Sequence, residues 1–80
     1  MLETLSIASD SAVLKQLGAR LKVYRLSKGI TQEELAEIAG FTRSYYTEIE
    51  TGKRNTSILN LYRLSLALDV SLKDIVNIAF

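Results

Sequence analysis

The segment TQEELAEIAGFTRSYYTEIETGKRN, residues 31–55, decides the fold because it holds two helical patterns separated only by a short turn. Thr31 can cap the first helix, and Glu34, three residues later, completes a capping box. Gly40 permits a positive φ, so the chain can turn sharply before Thr42 caps the second helix. Two short helices joined by a three- or four-residue turn that contains glycine are typical of a helix-turn-helix unit.

The rest of the chain predicts three more helices and no strand, which gives an all-α, five-helix domain over residues 1–80 with a loose arm at 1–10. Asp10 or Ser11 can cap helix 1, and Thr56 or Ser57 can cap helix 4. Gly18 in the middle of helix 1 indicates the close approach of another helix. The expected helices, with their caps, cover about 11–28, 31–39, 42–50, 56 or 57 to 68, and a last segment from 71 onward.

Composition excludes several classes of protein. The 80 residues can build one small core, and with neither Cys nor His a zinc site is not expected, nor is any other metal or cofactor. The N-terminus lacks the basic start and apolar run of a signal peptide, and no stretch approaches a membrane span, so we expect a cytoplasmic protein. The net charge of +1 argues against a protein that coats nucleic acid by charge alone. Without His or Cys the usual catalytic bases and thiol nucleophiles are missing, so we expect no enzyme.

Helix 3 has an outward arc of short hydrogen-bonding side chains that begins with an arginine. On a helical wheel of about 100° per residue, Tyr46 and Ile49 fall on the opposite face, toward the core. Arginine can bind guanine O6 and N7 with two hydrogen bonds, and serine or threonine can bond to many base edges. Tyr45, at the boundary, can lay its ring on a thymine methyl group or place its hydroxyl on a phosphate. The residues of the arc are Arg43, Ser44, Thr47, Glu48 and Thr51.

Two readings of this arc stay open. An ordinary polar surface explains the serine and threonines almost as well as DNA recognition does, but it explains the Tyr-Tyr pair and the trailing GKRN less well. Glu48 can accept a hydrogen bond from cytosine N4, or it can pair with Arg54 or Lys53.

The stretch from Leu17 to Leu72 resembles the Cro/CI-type (XRE) helix-turn-helix family of phage repressors. The resemblance is carried by the joint spacing of R-x3-G-x-T-Q, LA, G, I-E-x-G and A-L-x-V. The segment TRSYYTEIETGKRN and the small size are similar to one branch in particular, the controller proteins of restriction–modification systems. The resemblance implies a lambda-repressor-like DNA-binding domain in which helices 2 and 3 form the helix-turn-helix.

The resemblance also implies a role for individual residues. It pairs Arg25 with Glu50 as a structural ion pair that locks helix 1 to the end of helix 3. Tyr46 stands where the family mostly has Ile or Val, so its ring must be buried and its hydroxyl must find a partner. Thr56 stands where proline is common. The implied base-reading residues are Arg43, Ser44, Tyr45, Thr47 and Arg54, and the implied phosphate-binding residues are Gln32, Lys53 and Asn55.

Helix 4 carries more apolar surface than one small core can cover. One stripe, Ile58, Leu61, Leu64 and Leu68, matches the core of the family, and a second stripe lies on another face. We expect parts of helices 4 and 5 to form a two-fold dimer interface. The alternative is that helix 5 and the N-terminal arm cover the second stripe within one chain. The expected interface residues are Leu59, Tyr62, Leu66, Ile75, Ile78 and Phe80.

The prediction is therefore a sequence-specific transcriptional regulator that binds double-stranded DNA as a homodimer. Its pseudo-palindromic operator would have half-sites about 34 Å apart. By resemblance it would activate or repress a restriction–modification operon, with the RNA polymerase sigma subunit as a further partner and no small-molecule ligand. The alternatives are a phage-type repressor, which would usually carry a further dimerisation domain, an antitoxin-like autoregulator, or a helical protein-interaction module.

Overall fold

The computed structural model describes residues 9–78, and within them the chain forms five α-helices and no strand. The all-α, five-helix prediction is therefore confirmed for this part of the chain. Most of the predicted N-terminal arm and the predicted interface residue Phe80 lie outside the described residues. The helices are α1 (Asp10–Ser27), α2 (Gln32–Ala39), α3 (Arg43–Glu50), α4 (Ile58–Leu68) and α5 (Leu72–Ile75).

Each of these helices begins with a side-chain cap, in which a Ser or Thr oxygen accepts a hydrogen bond from the backbone N–H three residues later. Thr31 and Glu34 form the predicted capping box, with bonds of 3.0 and 2.8 Å. The predicted cap of α1 was wrong: Ser9 caps the helix, and Asp10 is its first residue. The sequence SDS offers three residues that can cap, so their types alone could not select among them.

The turn between α2 and α3 follows the predicted chemistry. Gly40 ends α2 with φ 81°, a left-handed conformation that costs glycine little because it has no Cβ. The Phe41 N–H then donates to the Ala36 carbonyl at 2.8 Å, which bonds the turn back onto α2. After this turn Thr42 caps α3. Residues 32–50 thus form the helix-turn-helix that the sequence indicated.

One core holds the five helices together, and α3 packs against both α1 and α2. Gly18 is the close-approach point, because a Cβ there would overlap the backbone carbonyls of Ile49 and Glu50 at the end of α3. The prediction for Gly18 is thereby confirmed. The buried apolar residues are Leu17, Leu21, Leu35, Ala36, Tyr46, Ile49, Leu61, Leu64, Leu68 and Ile75.

The burial of two isoleucines in the C-terminal part of the chain differs from the prediction. Ile58, predicted in the core, is 59% exposed: it is the first residue of α4, one turn before the buried face formed by Leu61, Leu64 and Leu68 begins. Ile75, predicted at the dimer interface, is 0% exposed, because the four-residue α5 turns it into the core of its own chain. A side chain without accessible surface cannot contact a second subunit, so Ile75 is removed from the predicted interface residues.

Among residues 9–78 no helix is both long and apolar enough to cross a membrane.

Candidate nucleic-acid interface

The orientation of α3 is fixed from below by a buried ion pair between its last residue and α1. Arg25 Nε donates to Glu50 Oε1 at 2.7 Å, and Arg25 Nη2 donates to Glu50 Oε2 at 3.2 Å. Both residues are buried, and Arg25 Nη1 also donates to the Ile30 carbonyl at 2.8 Å. The two-pronged geometry is the strong form of this interaction. The structure thus contains the ion pair that the resemblance implied.

Two further donors complete the hydrogen bonding of the Glu50 carboxylate. The Tyr46 hydroxyl donates to Oε1 at 2.6 Å, and Gln32 Nε2 donates to Oε2 at 2.6 Å. Tyr46 is fully buried, so the predicted burial of its ring and the predicted partner for its hydroxyl are both confirmed. We call Arg25, Gln32, Tyr46 and Glu50 the Glu50 cluster. It joins α1, α2 and α3 through one carboxylate.

In the cluster the pKa of Arg25, Tyr46 and Glu50 is shifted in the direction that favours the protonation state in which each makes its hydrogen bonds. Burial opposes ionisation of Glu50, but hydrogen bonds from Arg25, Tyr46 and Gln32 outweigh burial and hold the pKa of Glu50 below the ordinary value. Burial, and then the bond to Glu50, raise the pKa of the Tyr46 hydroxyl. The bond to Glu50 likewise raises the pKa of Arg25. The cluster is therefore one ionised pair with two neutral donors at neutral pH.

Above this cluster the outward arc of α3 faces solvent. Arg43 and Ser44 are exposed, and within residues 9–78 their side chains have no hydrogen-bond or ion-pair partner. The Thr47 hydroxyl donates to Gln32 Oε1 at 3.3 Å and is half-buried. An open depression brings these predicted residues of α2 and α3 together, and it is lined by Gln32, Arg43, Ser44, Thr47 and Glu48.

Tyr45 has a firmer structural role than the sequence indicated. Its hydroxyl lies 2.9 Å from Thr56 Oγ1 and accepts a hydrogen bond from Asn60 Nδ2 at 2.8 Å. The ring of Phe41 meets its ring edge-on at a centroid distance of 5.1 Å. The hydroxyl thus ties α3 to the start of α4.

The loop after α3 supplies three exposed polar residues, Lys53, Arg54 and Asn55. Arg54 Nε donates to Glu48 Oε1 at 2.7 Å, and the guanidinium carbon lies 5.3 Å from the centroid of the Tyr45 ring. Of the alternatives for Glu48, the free protein shows the pair with Arg54. In the described part of the chain the Lys53 and Asn55 side chains contact no hydrogen-bond partner.

Gln32 makes hydrogen bonds within the protein that were not predicted from the sequence. We expected it to bind phosphate, yet its amide donates to Glu50 and accepts from Thr47. Its second Nε2 hydrogen is the donor that stays available for an external acceptor. The partners of Gln32 are 18 and 15 residues away along the chain, so no local pattern could have pointed to them.

The second stripe of α4 is exposed in the described structure. Leu59, Tyr62 and Leu66 are 69%, 50% and 62% exposed, and they lie on the side of α4 opposite its buried face. Ile78 is half-buried against the core, so only part of its surface is accessible. Within residues 9–78, α5 does not cover the stripe. We call Leu59, Tyr62 and Leu66 the α4 stripe.

The pattern of the helix-turn-helix family matches residues 21–75 of the chain. Control protein C.MunI of Mycoplasma sp is 38% identical over 61 residues, which cover 75% of this chain and 82% of that protein. The transcriptional regulator SinR of Bacillus licheniformis is 44% identical over 62 residues, and the chain spans 56% of its length.

Solved structures agree with these relatives. The restriction–modification controller protein C.AhdI from Aeromonas hydrophila superposes with a TM-score of 0.81 at 38% identity, over 85% of this chain and 99% of that one. SinR in complex with DNA superposes with a TM-score of 0.73 at 42% identity, over 76% of this chain and 98% of that one. The chain belongs to the helix-turn-helix family of DNA-binding transcriptional regulators of the XRE type, and its α2–turn–α3 unit lies within the matched residues.

Proposed function

We propose that the chain is a controller-type transcriptional regulator that binds a pseudo-palindromic operator as a homodimer and regulates a restriction–modification operon in the cytoplasm. The observation that carries the proposal is the outward face of α3, where Arg43 and Ser44 are exposed and point to no partner within the described residues. The likeness to C.AhdI and C.MunI supports the controller class. All 80 residues act as one domain in this proposal, and the sigma subunit of RNA polymerase stays a predicted partner.

In this proposal α3 enters the major groove, and contacts divide into two kinds. Arg43, Ser44, Thr47 and Arg54 read base edges, together with the ring of Tyr45. Lys53, Asn55 and the second N–H of Gln32 bind phosphate oxygens. Arg43 is the main base reader because its guanidinium lies at the exposed start of α3 and is engaged by no other described residue.

A selection experiment tests the DNA-binding part of the proposal. The protein is incubated with a pool of random-sequence duplexes, and the bound fraction is sequenced after several rounds. We expect an inverted repeat whose half-sites are centred about one helical turn, roughly 34 Å, apart. Arg43→Ala should relax the preference at particular base pairs. A pool that returns no enriched motif would contradict sequence-specific recognition.

The α4 stripe supports the homodimer. Three adjacent large apolar side chains are costly to leave in water: full burial of a leucine is worth about 1.5–3 kcal/mol relative to full exposure, and these side chains are 50–69% exposed. A two-fold interface covers the same stripe on both subunits and fixes the spacing of the two α3 helices. The proposed interface is Leu59, Tyr62, Leu66 and the accessible part of Ile78.

Sedimentation equilibrium tests the interface. We expect wild type to be dimeric at tens of micromolar and Leu66→Glu to be a folded monomer that binds the selected palindrome weakly. Leu26→Glu is the matched control, because Leu26 is a similarly exposed leucine on α1, 56% against 62% for Leu66. Circular dichroism checks that both variants keep their helices. A monomeric wild type in the absence of DNA would exclude this dimer.

A further inference from the structure

The ion pair between Glu48 and Arg54 lies on the surface that the proposed function assigns to DNA. The Arg54 and Glu48 side chains are 50% and 43% exposed, so the pair is a surface pair rather than part of the core. It joins the outward face of α3 to the loop after it, six residues further along the chain. The Glu50 cluster already fixes α3, which leaves this second pair without an evident structural task.

Hydrogen bonds hold the loop backbone and the aromatic ring beside Arg54, whereas the Arg54 side chain itself is half exposed. The N–H of Gly52 donates to the Ile49 carbonyl at 3.1 Å, and that of Lys53 donates to the Glu48 carbonyl at 2.8 Å, so the loop backbone is bonded onto α3. The Tyr45 ring beside the guanidinium is held through its hydroxyl by Thr56 and Asn60. In the free protein the Arg54 guanidinium therefore lies between the Glu48 carboxylate and the Tyr45 ring, partly exposed to solvent.

A guanine and Glu48 compete for the Nε donor of Arg54, which Glu48 accepts from in the free protein. A two-pronged contact with guanine brings Arg54 against the acceptors O6 and N7, and a carboxylate left beside those acceptors and the phosphates would be repelled and lose water. The pair uses Arg54 Nε, so a two-pronged guanine contact through Nε and one Nη requires Arg54 to leave Glu48. A duplex without a guanine at this position offers Arg54 no base acceptor in place of the Glu48 carboxylate. Arg54 can then keep its ion pair with Glu48.

We propose that Glu48 is a positioning residue that acts through Arg54: it holds Arg54 on the protein and keeps operator affinity below the value that the α3 face could otherwise reach. This inference rests on the proposed function and adds to it a built-in control of affinity. An exposed ion pair is worth about 0.2–1 kcal/mol, so opening it should change affinity by about 1.4- to fivefold. Removing Glu48 should therefore strengthen binding to the selected operator.

The test measures the Kd of the full 80-residue chain for two duplexes at one salt concentration. One duplex is the sequence most enriched by wild type from the random pool, and the other is a shuffled sequence of the same composition. Glu37→Gln is the matched control for Glu48→Gln, because Glu37 is an exposed α2 glutamate without an ion pair in the described structure. Both substitutions change the net charge equally.

We expect Glu48→Gln to bind the selected duplex about 1.4- to fivefold more tightly than Glu37→Gln does, with a gain on the shuffled duplex that is no larger. In an Arg54→Ala background this extra gain should disappear, whereas simple repulsion between Glu48 and phosphate would persist there. A gain that persists would overturn the inference.

Weaker binding of Glu48→Gln to the selected duplex would also overturn the inference, because it would mean that Glu48 contacts a cytosine or orients Arg54 for DNA. An enriched motif with no difference between Glu48→Gln and Glu37→Gln would overturn this inference alone. Failure of wild type to enrich any motif would overturn the proposed function, and this inference with it.

Discussion

Replacing Arg25 with methionine should test how strongly the Glu50 cluster holds α3. The substitution keeps an apolar stem but removes two hydrogen bonds to Glu50 and one to the Ile30 carbonyl. It leaves a buried carboxylate with only the Tyr46 and Gln32 donors. Loss of one partner of a buried ion pair costs about 3–5 kcal/mol. A domain of 80 residues has about 4–12 kcal/mol of stability in total, so Arg25→Met should lose a large share of it.

Urea unfolding followed by circular dichroism, at one fixed protein concentration, measures this loss. Arg25→Met/Glu50→Gln should be more stable than Arg25→Met, because the stranded charge is gone. Glu50→Gln alone completes the double-mutant cycle, whose coupling energy belongs to the pair itself. If Arg25→Met costs under about 0.5 kcal/mol, or if the two losses simply add, the ion pair does not hold the end of α3 in place.

The pH dependence of stability gives an independent check on the same carboxylate. The pKa of Glu50 is lowered in the folded state, so its contribution is fully present above the ordinary glutamate pKa of about 4.3. That contribution is lost as the pH falls through the lower folded-state pKa. The stability difference between wild type and Glu50→Gln should therefore shrink between pH 7 and pH 3. The pKa of Tyr46 is raised instead, so its contribution is lost as the pH rises above about 10.

Other variants examine the remaining contacts. Tyr46→Phe removes the hydroxyl that donates to Glu50, and it should cost about 1.5–3 kcal/mol in urea unfolding while the fold persists. Gly18→Ala should destabilise more than Gly40→Ala. A Cβ at Gly18 meets the backbone of α3, whereas at Gly40 it meets open space and only the left-handed φ costs about 1–2 kcal/mol. Lys53→Ala should weaken binding to the selected and shuffled duplexes alike and reduce the slope of log K against log salt by about one unit, as a titration from 50 to 200 mM salt would show. Equal slopes for wild type and variant would exclude a phosphate contact by Lys53.

Local chemistry made the helices predictable from the sequence. The capping box at Thr31 and Glu34 uses residues three positions apart, and the left-handed turn at Gly40 uses one, so both are visible in a short stretch. The same holds for the buried face of α3, because Tyr46 and Ile49 lie three residues apart on one side of the helix. The helix-turn-helix and its outward arc followed from such short-range patterns.

Tertiary placement was less predictable. Ile58 and Ile75 have the same residue type, yet one is exposed and the other buried, because position relative to the packed helices decides burial. The four residues of α5 are too few for a periodic pattern to define a face. The bond from Gln32 to Glu50 and the position of Asn60 beside Tyr45 both join different helices, so they depend on the assembled core.

The Glu50 cluster has a consequence for the thermodynamics of recognition. A helix of eight residues is marginal in water by itself, so α3 owes its order to the contacts beneath it. DNA would then meet a helix that is already folded, and binding would carry no entropy loss from folding α3. The heat-capacity change of binding should reflect only the surface that the two molecules bury against each other. Amide hydrogens of α3 in the free protein should exchange almost as slowly as those of the core, although one side of the helix is in water.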